Sequence, residues 1–372
     1  MRRVHQVLVA VATGLGVLAA PVAASASPGD GGNRAELQRE LDGVVTASAF
    51  GALAEVRDEG GVWRGSSGVA VLGSSRPVPV EARFRAGSIT KTFLATVVLQ
   101  LVDEGALQLD DPVEKWLPGL VPNGQNITVK QLLNHTSGLY DFLRTLTRPP
   151  EPGFLDYRWR TWTAEEQIRR ALAHPPVFET PGSQYSYSNT NYALLGEIVE
   201  KVTGESYGDQ IERRVIRPLR LHGTEVPGTF PRIRGPHPHG YVPIKYADGT
   251  RMVDLTVINP TLFGAGGEII STTKDLNRFF AALLDGTLLP KHLLEAMKTP
   301  GTDKRNYGLG LAWWDTTCGI RVYGNDGDAL AYNAWSFSTE DGKRQVTLAF
   351  TPAFRNDPDD VAEAFVDKAI CG

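Results

Sequence analysis

The sequence predicts an α+β fold: one antiparallel sheet built from both chain ends, flanked by helices, with an all-helical insertion over roughly residues 100–255. Three observations carry this. Strand-like stretches cluster at the two ends, and helical periodicity fills the middle. At 372 residues and 42% hydrophobic, the chain buries a core large enough for one big domain or two closely packed ones. Its 39 glycines and 24 prolines supply the many turns that short elements need.

Residues 1–26 read as a secretory signal. Arg2 and Arg3 precede an apolar run from Val7 to Ala20, and Ala24-Ser25-Ala26 offers a cleavage site. The run is too short to span a bilayer comfortably, so export without a membrane span is expected, to the extracellular or cell-wall space. "SPGDGGN" (27–33) reads as a flexible leader, and one domain fills 34–372. Leu37, Leu41, Val44 and Val45 share one face of a helix over 34–47. "ALAEVRDEGGVWRGSSGVAVLG" gives strands around a glycine-rich turn. A helix over 88–104 ends at Gly105, and Asp110 is a candidate cap before Pro112. "ITVKQLLNHTSGL" is a short helix and a loop, 140–163 is irregular and aromatic, and "AEEQIRRALA" and "NYALLGEIVEKVTG" are helices. "GGEIISTTKDLNRFFAALLDG" is a strand and then a helix capped at Ser271 or Thr272. "GIRVYG", "AYNAWSFS" and "QVTLAF" return to strands, and a helix over 358–370 closes the chain.

Charge and cysteine content narrow the function. Without Arg2 and Arg3 the chain carries 36 basic and 42 acidic side chains, net −6, which gives no electrostatic case for nucleic acid or an anionic membrane as partner. The expected partner is a small peptide-like or acyl substrate, bound by a monomer. Cys318 and Cys371 are the only cysteines. In an exported chain a lone pair favours a disulfide over two buried thiols. The bridge would close a loop of about 54 residues, worth roughly 4 kcal/mol on the loop-entropy model. His237 and His239 sit in the turn-rich "GPHPHGY" with no carboxylate beside them, so no metal site and no cofactor are expected.

The chemistry concentrates in "FRAGSITKTF" (84–93). On a helix, positions three apart share a face, so Ser88 and Lys91 project together, with Ser88 in the first turn. A solvated lysine is a poor base, but desolvation among Phe84, Ile89 and Phe93 lowers its proton affinity and lets it take the serine proton. In "PGSQYSYSNTNYALLG", extended backbone sends Tyr187 and Asn189 to one side. A phenol beside a lysine ammonium ionises more easily and serves as a proton shuttle, and the Asn189 amide holds a substrate amide. Tyr185 and Tyr192 are expected to pack the loop on the next helix, and Ser188 and Thr190 are candidate caps.

"SITK", "YSN", "ITVKQLLNHTSGL", "YGLGL" and the Cys318…Cys371 spacing together resemble a secreted D-alanyl-D-alanine carboxypeptidase of the serine β-lactamase and penicillin-binding superfamily, the branch that includes class C β-lactamases. The resemblance runs from about residue 35 to the end. It implies a β-lactamase/transpeptidase-like fold and an acyl-enzyme mechanism with Ser88 as nucleophile, Lys91 as its activating partner and Tyr187 as general acid/base. It also implies that Asn189 holds the acyl side's amide and that His135 is structural. The oxyanion hole would pair the Ser88 N–H with one near Asn333 or Ala334.

The resemblance fails at the third motif, where the family has Lys or His, a small residue and Gly. Here the stretch is Tyr323-Gly324-Asn325-Asp326-Gly327-Asp328. Asn325 replaces the cation, Asp326 and Asp328 replace hydroxyl residues that would grip a carboxylate, and all three are expected to line the substrate site. After "YGLGL", where the carboxypeptidases offer an arginine, this chain has Ala312-Trp313-Trp314. A substrate carboxylate about 5 Å from one Asp, at an effective dielectric near 20, meets roughly 3 kcal/mol of repulsion. The expected leaving side is therefore neutral or cationic, with Trp313 or Trp314 lining its pocket, unless Asp326 and Asp328 face solvent or pair with Arg321 or Lys343. Carboxypeptidase activity proper, acyl transfer to an amine, and a binding or sensor role are the alternatives.

Overall fold

The computed structural model describes residues 30–372. The expected signal segment and residues 27–29 lie outside them. The first helix, α1 (Asp30–Ser48), already includes Asp30 to Asn33, so it starts earlier than the glycine-rich composition suggested. Strands β1 (Ala49–Asp58) and β2 (Gly61–Gly68) form the expected hairpin. The C-terminal third supplies β7 (Ala312–Asp315), β8 (Arg321–Asp328), β9 (Asn333–Thr339) and β10 (Gln345–Pro352), once the short β3 (Phe84–Arg85), the hairpin strands β4 (Tyr241–Tyr246) and β5 (Gly249–Asp254), and the short β6 (Ile270–Ser271) are counted. The main sheet runs β2-β1-β10-β9-β8-β7, antiparallel throughout. Its β1–β10 ladder, from Ala52 opposite Phe350 to Arg57 opposite Gln345, joins the two chain ends.

Each face of the sheet is covered. On one side α1 packs through Leu37, Leu41 and Val44 against the C-terminal helix, whose Phe365, Val366 and Ile370 are buried in the same cluster. On the other side lies the larger core, which contains α2 (Thr90–Asp103). That helix is buried on every face: only Gln100 and Val102–Asp103 near its end escape full burial, and its enclosed polar residues include Thr90, Lys91, Thr92 and Thr96. Phe93 stacks on Phe279 with ring centroids 3.7 Å apart. Burying one such side chain contributes roughly 1.5–3 kcal/mol.

The insertion is mostly helical: α3 (Val113–Trp116), α4 (Val129–Leu133), α5 (Ala164–Leu172), α6 (Asn189–Thr203) and α7 (Tyr207–Ile211). It also holds the β4–β5 hairpin, whose two-residue Ala247-Asp248 turn leads into Gly249 at a positive φ of +129°, a conformation that favours glycine. Asp110 does not cap α3; Asp111 instead accepts hydrogen bonds from Gln108 N–H, Lys115 and Trp116. Beyond the insertion come α8 (Thr273–Leu284), capped by Thr272 through Asp275 N–H, then α9 (Lys291–Lys298) and the terminal α10 (Pro358–Cys371). Cys318 and Cys371 form a disulfide with Cα atoms 5.8 Å apart, tying the β7–β8 turn to α10. Among the described residues no helix is long and apolar enough to cross a membrane.

Candidate active site

The cleft lies where the insertion meets β8. Ser88 sits on a 3-10 turn, Gly87–Ile89, that runs directly into α2. Lys91, one turn along, is fully buried. Its Nζ donates to Ser88 Oγ at 3.0 Å, Asn189 Oδ1 at 2.8 Å and the Gly266 carbonyl at 2.6 Å. Burial lowers the Lys91 pKa to about 7, against opposing pulls from Asp141 and Asp326. The loop before α6 brings Tyr187 Oη to 2.6 Å from Ser88 Oγ. Thus two segments about a hundred residues apart share one hydrogen-bonded cluster, Ser88 and Lys91 from one and Tyr187 from the other, and Asn189, the first residue of α6, closes it.

Tyr187 differs from expectation in its charge. Its phenol is pushed well above the usual tyrosine range by enclosure, reinforced by Tyr307 and Asp326. Lys91 Nζ lies 4.8 Å from the Tyr187 ring centroid, yet the surroundings do not favour a phenolate. Tyr187 therefore stays protonated, and the group poised to take a proton is Lys91. His135 lies under the Tyr187 ring at 4.4 Å between centroids, with Nδ1 accepting from Ser188 N–H and Asn191 Nδ2. Burial holds its pKa well below the ordinary histidine value, so it acts as a neutral packing element. Ser188 precedes α6 but does not cap it; its hydroxyl donates to the Tyr140 carbonyl.

Asn189 lines the cleft, but its amide is already committed: Oδ1 to Lys91, Nδ2 to both oxygens of Asp141 at 3.1 and 3.3 Å. It supports the base rather than offering itself to a substrate amide. Asn325 is buried where it lines a cavity that opens on Ser88, and its amide is likewise engaged. Its Nδ2 donates to Thr92 Oγ1 at 3.1 Å and its Oδ1 accepts the Asp326 N–H.

The strand that meets the nucleophile turn is β8. A β-carbon on Gly87 (φ +54°) would lie 2.7 Å from Asp328 N, and one on Gly327 would lie 2.9 Å from Ser88 N and 2.0 Å from the Ala86 carbonyl. The second N–H beside Ser88 is that of Asp328. Asn333 and Ala334, expected there, lie on β9, paired with Asp328 and Gly327 one strand further in. A sequence does not tell which of two adjacent strands abuts a turn.

Two cavities open on Ser88. One, about 410 Å³, is lined by Asp141, Arg148, Phe154, Phe263, Asp326, Asp328 and Leu330 among others. The other, about 560 Å³, is lined by Tyr185, Arg305, Trp313, Trp314, Asp326, Trp335 and Glu363 among others. Asp326 and Asp328 thus face the cleft. Arg321 pairs instead with Asp315, and Lys343 with Asp341. Both carboxylates keep contact with solvent, yet the cleft walls raise their pKa values; Arg305 and Lys91 pull Asp326 the other way, and Arg148 does so for Asp328. Trp313 is largely buried against Tyr323, whereas Trp314 is half-buried and packs on Phe337. Sequence reasoning missed Asp141, Gly266, Lys304 and Arg305. The last two stand just before "YGLGL", on the opposite flank from the one where an arginine was sought.

A serine beside a desolvated lysine and a phenol, at the junction of an antiparallel sheet and a helical insertion, defines the serine β-lactamase and penicillin-binding class. The chain belongs to the Beta-lactamase family, whose model matches residues 37–369. It is 29% identical to penicillin-binding protein 4* of Bacillus subtilis over 80% of this chain and 65% of that protein, so it spans just under two thirds of that relative. It is 29% identical to esterase EstB of Burkholderia gladioli over 75% of this chain and 79% of the esterase. Among solved structures, a D-stereospecific amidohydrolase from Streptomyces sp. is 40% identical, with a TM-score of 0.81, covering 89% of this chain and 98% of that one. The D-amino acid amidase of Ochrobactrum anthropi SV3 is 27% identical, with a TM-score of 0.78, covering 91% and 97%.

Proposed function

We propose that this protein is an exported serine amidohydrolase that cleaves amides and esters of D-amino acids or short peptides through an acyl-enzyme. The observation that carries the reading is the pair Asp326 and Asp328, which face the cleft beside Ser88 where the carboxypeptidases present groups that grip a carboxylate. The D-configured acyl residue is inferred from the Streptomyces and Ochrobactrum enzymes. The disulfide fits an oxidising compartment.

In this reading Lys91, neutral above about pH 7, takes the Ser88 proton as Oγ attacks the carbonyl carbon. The backbone N–H groups of Ser88 and Asp328 receive the developing oxyanion. Tyr187, protonated and bonded to Oγ, delivers its hydroxyl proton to the leaving nitrogen as the Lys91 proton replaces it, so no phenolate accumulates. Water then repeats the attack on the ester, releasing the acid and restoring Ser88.

The test is a comparison of a D-amino acid amide with the D-Ala-D-Ala free acid. At about 5 Å and an effective dielectric near 20, one carboxylate disfavours the acid by roughly 100-fold; solvent in the cleft weakens this, so a preference for the amide of at least about tenfold in kcat/KM is expected. Asp326→Lys narrows or reverses the preference. A wild-type enzyme that favours the free acid overturns the reading. Arg305 supports a second one: a guanidinium at the rim of the larger cavity, with no ion pair among the described residues, suits a short peptide's terminal carboxylate. Selective loss of free-acid peptides in Arg305→Gln identifies that case.

A further inference from the structure

Lys91 is held by three groups, and their chemistry differs. A neutral amine has two N–H bonds and one lone pair. The Gly266 carbonyl at 2.6 Å only accepts, and Asn189 presents its oxygen at 2.8 Å. These two occupy both N–H bonds, and the lone pair is left facing Ser88 Oγ at 3.0 Å. The arrangement holds only while Asn189 keeps this orientation. Were its amide reversed, Nδ2–H would donate to the lone pair and occupy the base.

Asp141 fixes the orientation. It is 6% exposed and sits before the 3-10 turn Phe142–Thr145. Its Oδ1 accepts from Leu143 N–H at 3.1 Å and Asn189 N–H at 3.2 Å, and both oxygens accept from Asn189 Nδ2 at 3.3 and 3.1 Å. A carboxylate only accepts, so it binds the NH₂ end and turns Oδ1 to Lys91. Asp141 makes no ion pair among the described residues, so its charge acts on the amine. We propose that Asp141 is a positioning residue: it locks the Asn189 amide so that the Lys91 lone pair is aimed at Ser88. This rests on the Ser88–Lys91 reading above.

The other titratable groups facing Lys91 are Asp326 from β8, His135 from the loop after α4, Tyr187 from the loop before α6 and Tyr192 on α6; the Gly264–Gly266 segment contributes only a carbonyl. Asp141→Asn leaves these in place. It removes a charge that favours the ammonium, and it presents both a donor and an acceptor, so either Asn189 orientation is satisfied.

The experiment is single-turnover acylation by p-nitrophenyl acetate across pH, together with steady-state kinetics on a D-amino acid amide and melting curves for each variant. In Asp141→Asn the acid limb of the wild-type profile, near pH 7, moves down by about one unit, the plateau rate falls at least about tenfold, and KM changes less than about threefold. The double variant Asp141→Asn/Asn189→Asp restores an acceptor-only group on Nζ. Its limb moves above that of wild type and its plateau recovers. A limb that stays in place in Asp141→Asn, or one that moves down in the double variant too, overturns the inference; a purely structural role would lower the melting temperature and amplitude alone. A wild-type profile without a limb near 7, or acylation that persists in Ser88→Ala, overturns the Ser88–Lys91 reading itself.

Discussion

Lys91→Met lowers the rate of Ser88 acylation by about a thousandfold, within the range for removing a positioned general base, and leaves KM nearly unchanged. The wild-type rate rises with pH through about 7, because burial brings Lys91 to that value and only the neutral amine accepts a proton. The variant loses this limb. The sign for stability is the same. Folded Lys91 binds its proton more weakly than the unfolded chain does, so between about pH 7 and its ordinary value of 10.5 the unfolded state holds more protons and stability rises with pH. Below pH 7 the fold bears the full cost of the buried ammonium. Stopped-flow acylation across pH checks the rate; thermal melting of wild type against Lys91→Met across the same range checks the linkage.

Replacing Cys318 and Cys371 by serine lowers stability by about 4 kcal/mol, as expected for opening a loop with a sequence separation of 53 residues. At roughly 2–4 °C per kcal/mol for a chain of this size, the melting temperature falls by on the order of 10 °C. The effect concentrates on α10, which covers one sheet face through Phe365, Val366 and Ile370. Calorimetry on the double serine variant, and on wild type with and without reductant, checks this. An unchanged melting temperature on reduction contradicts it.

Much of the fold was legible because it rests on local pattern. Leu37, Leu41 and Val44 mark the buried face of α1, and strand signals at both ends anticipate the β1–β10 ladder. The β4–β5 hairpin was missed because Asp248-Gly249 lies amid prolines and histidines that read as loop. At the site, Ser88, Lys91 and Tyr187 stood in short motifs, and the structure brings all three together. What escaped was tertiary. Tyr187 was expected to ionise easily beside Lys91, but enclosure sets its charge, and no spacing reports enclosure. Asn189 and Asn325 do line the cleft, but the engagement of their amides went unseen because their partners Asp141 and Thr92 lie 48 and 233 residues away in sequence. Asp326 and Asp328 were placed on the cleft from the motif alone, and β8 does carry them there.

Intact-mass spectrometry, quenched within seconds of mixing with a D-amino acid ester, tests the nucleophile most directly. Wild type gains one acyl mass that maps to Ser88 and then decays as water releases the acid; Ser88→Ala gains none. An adduct of equal yield in Ser88→Ala, or turnover of the ester with that serine absent, contradicts the account.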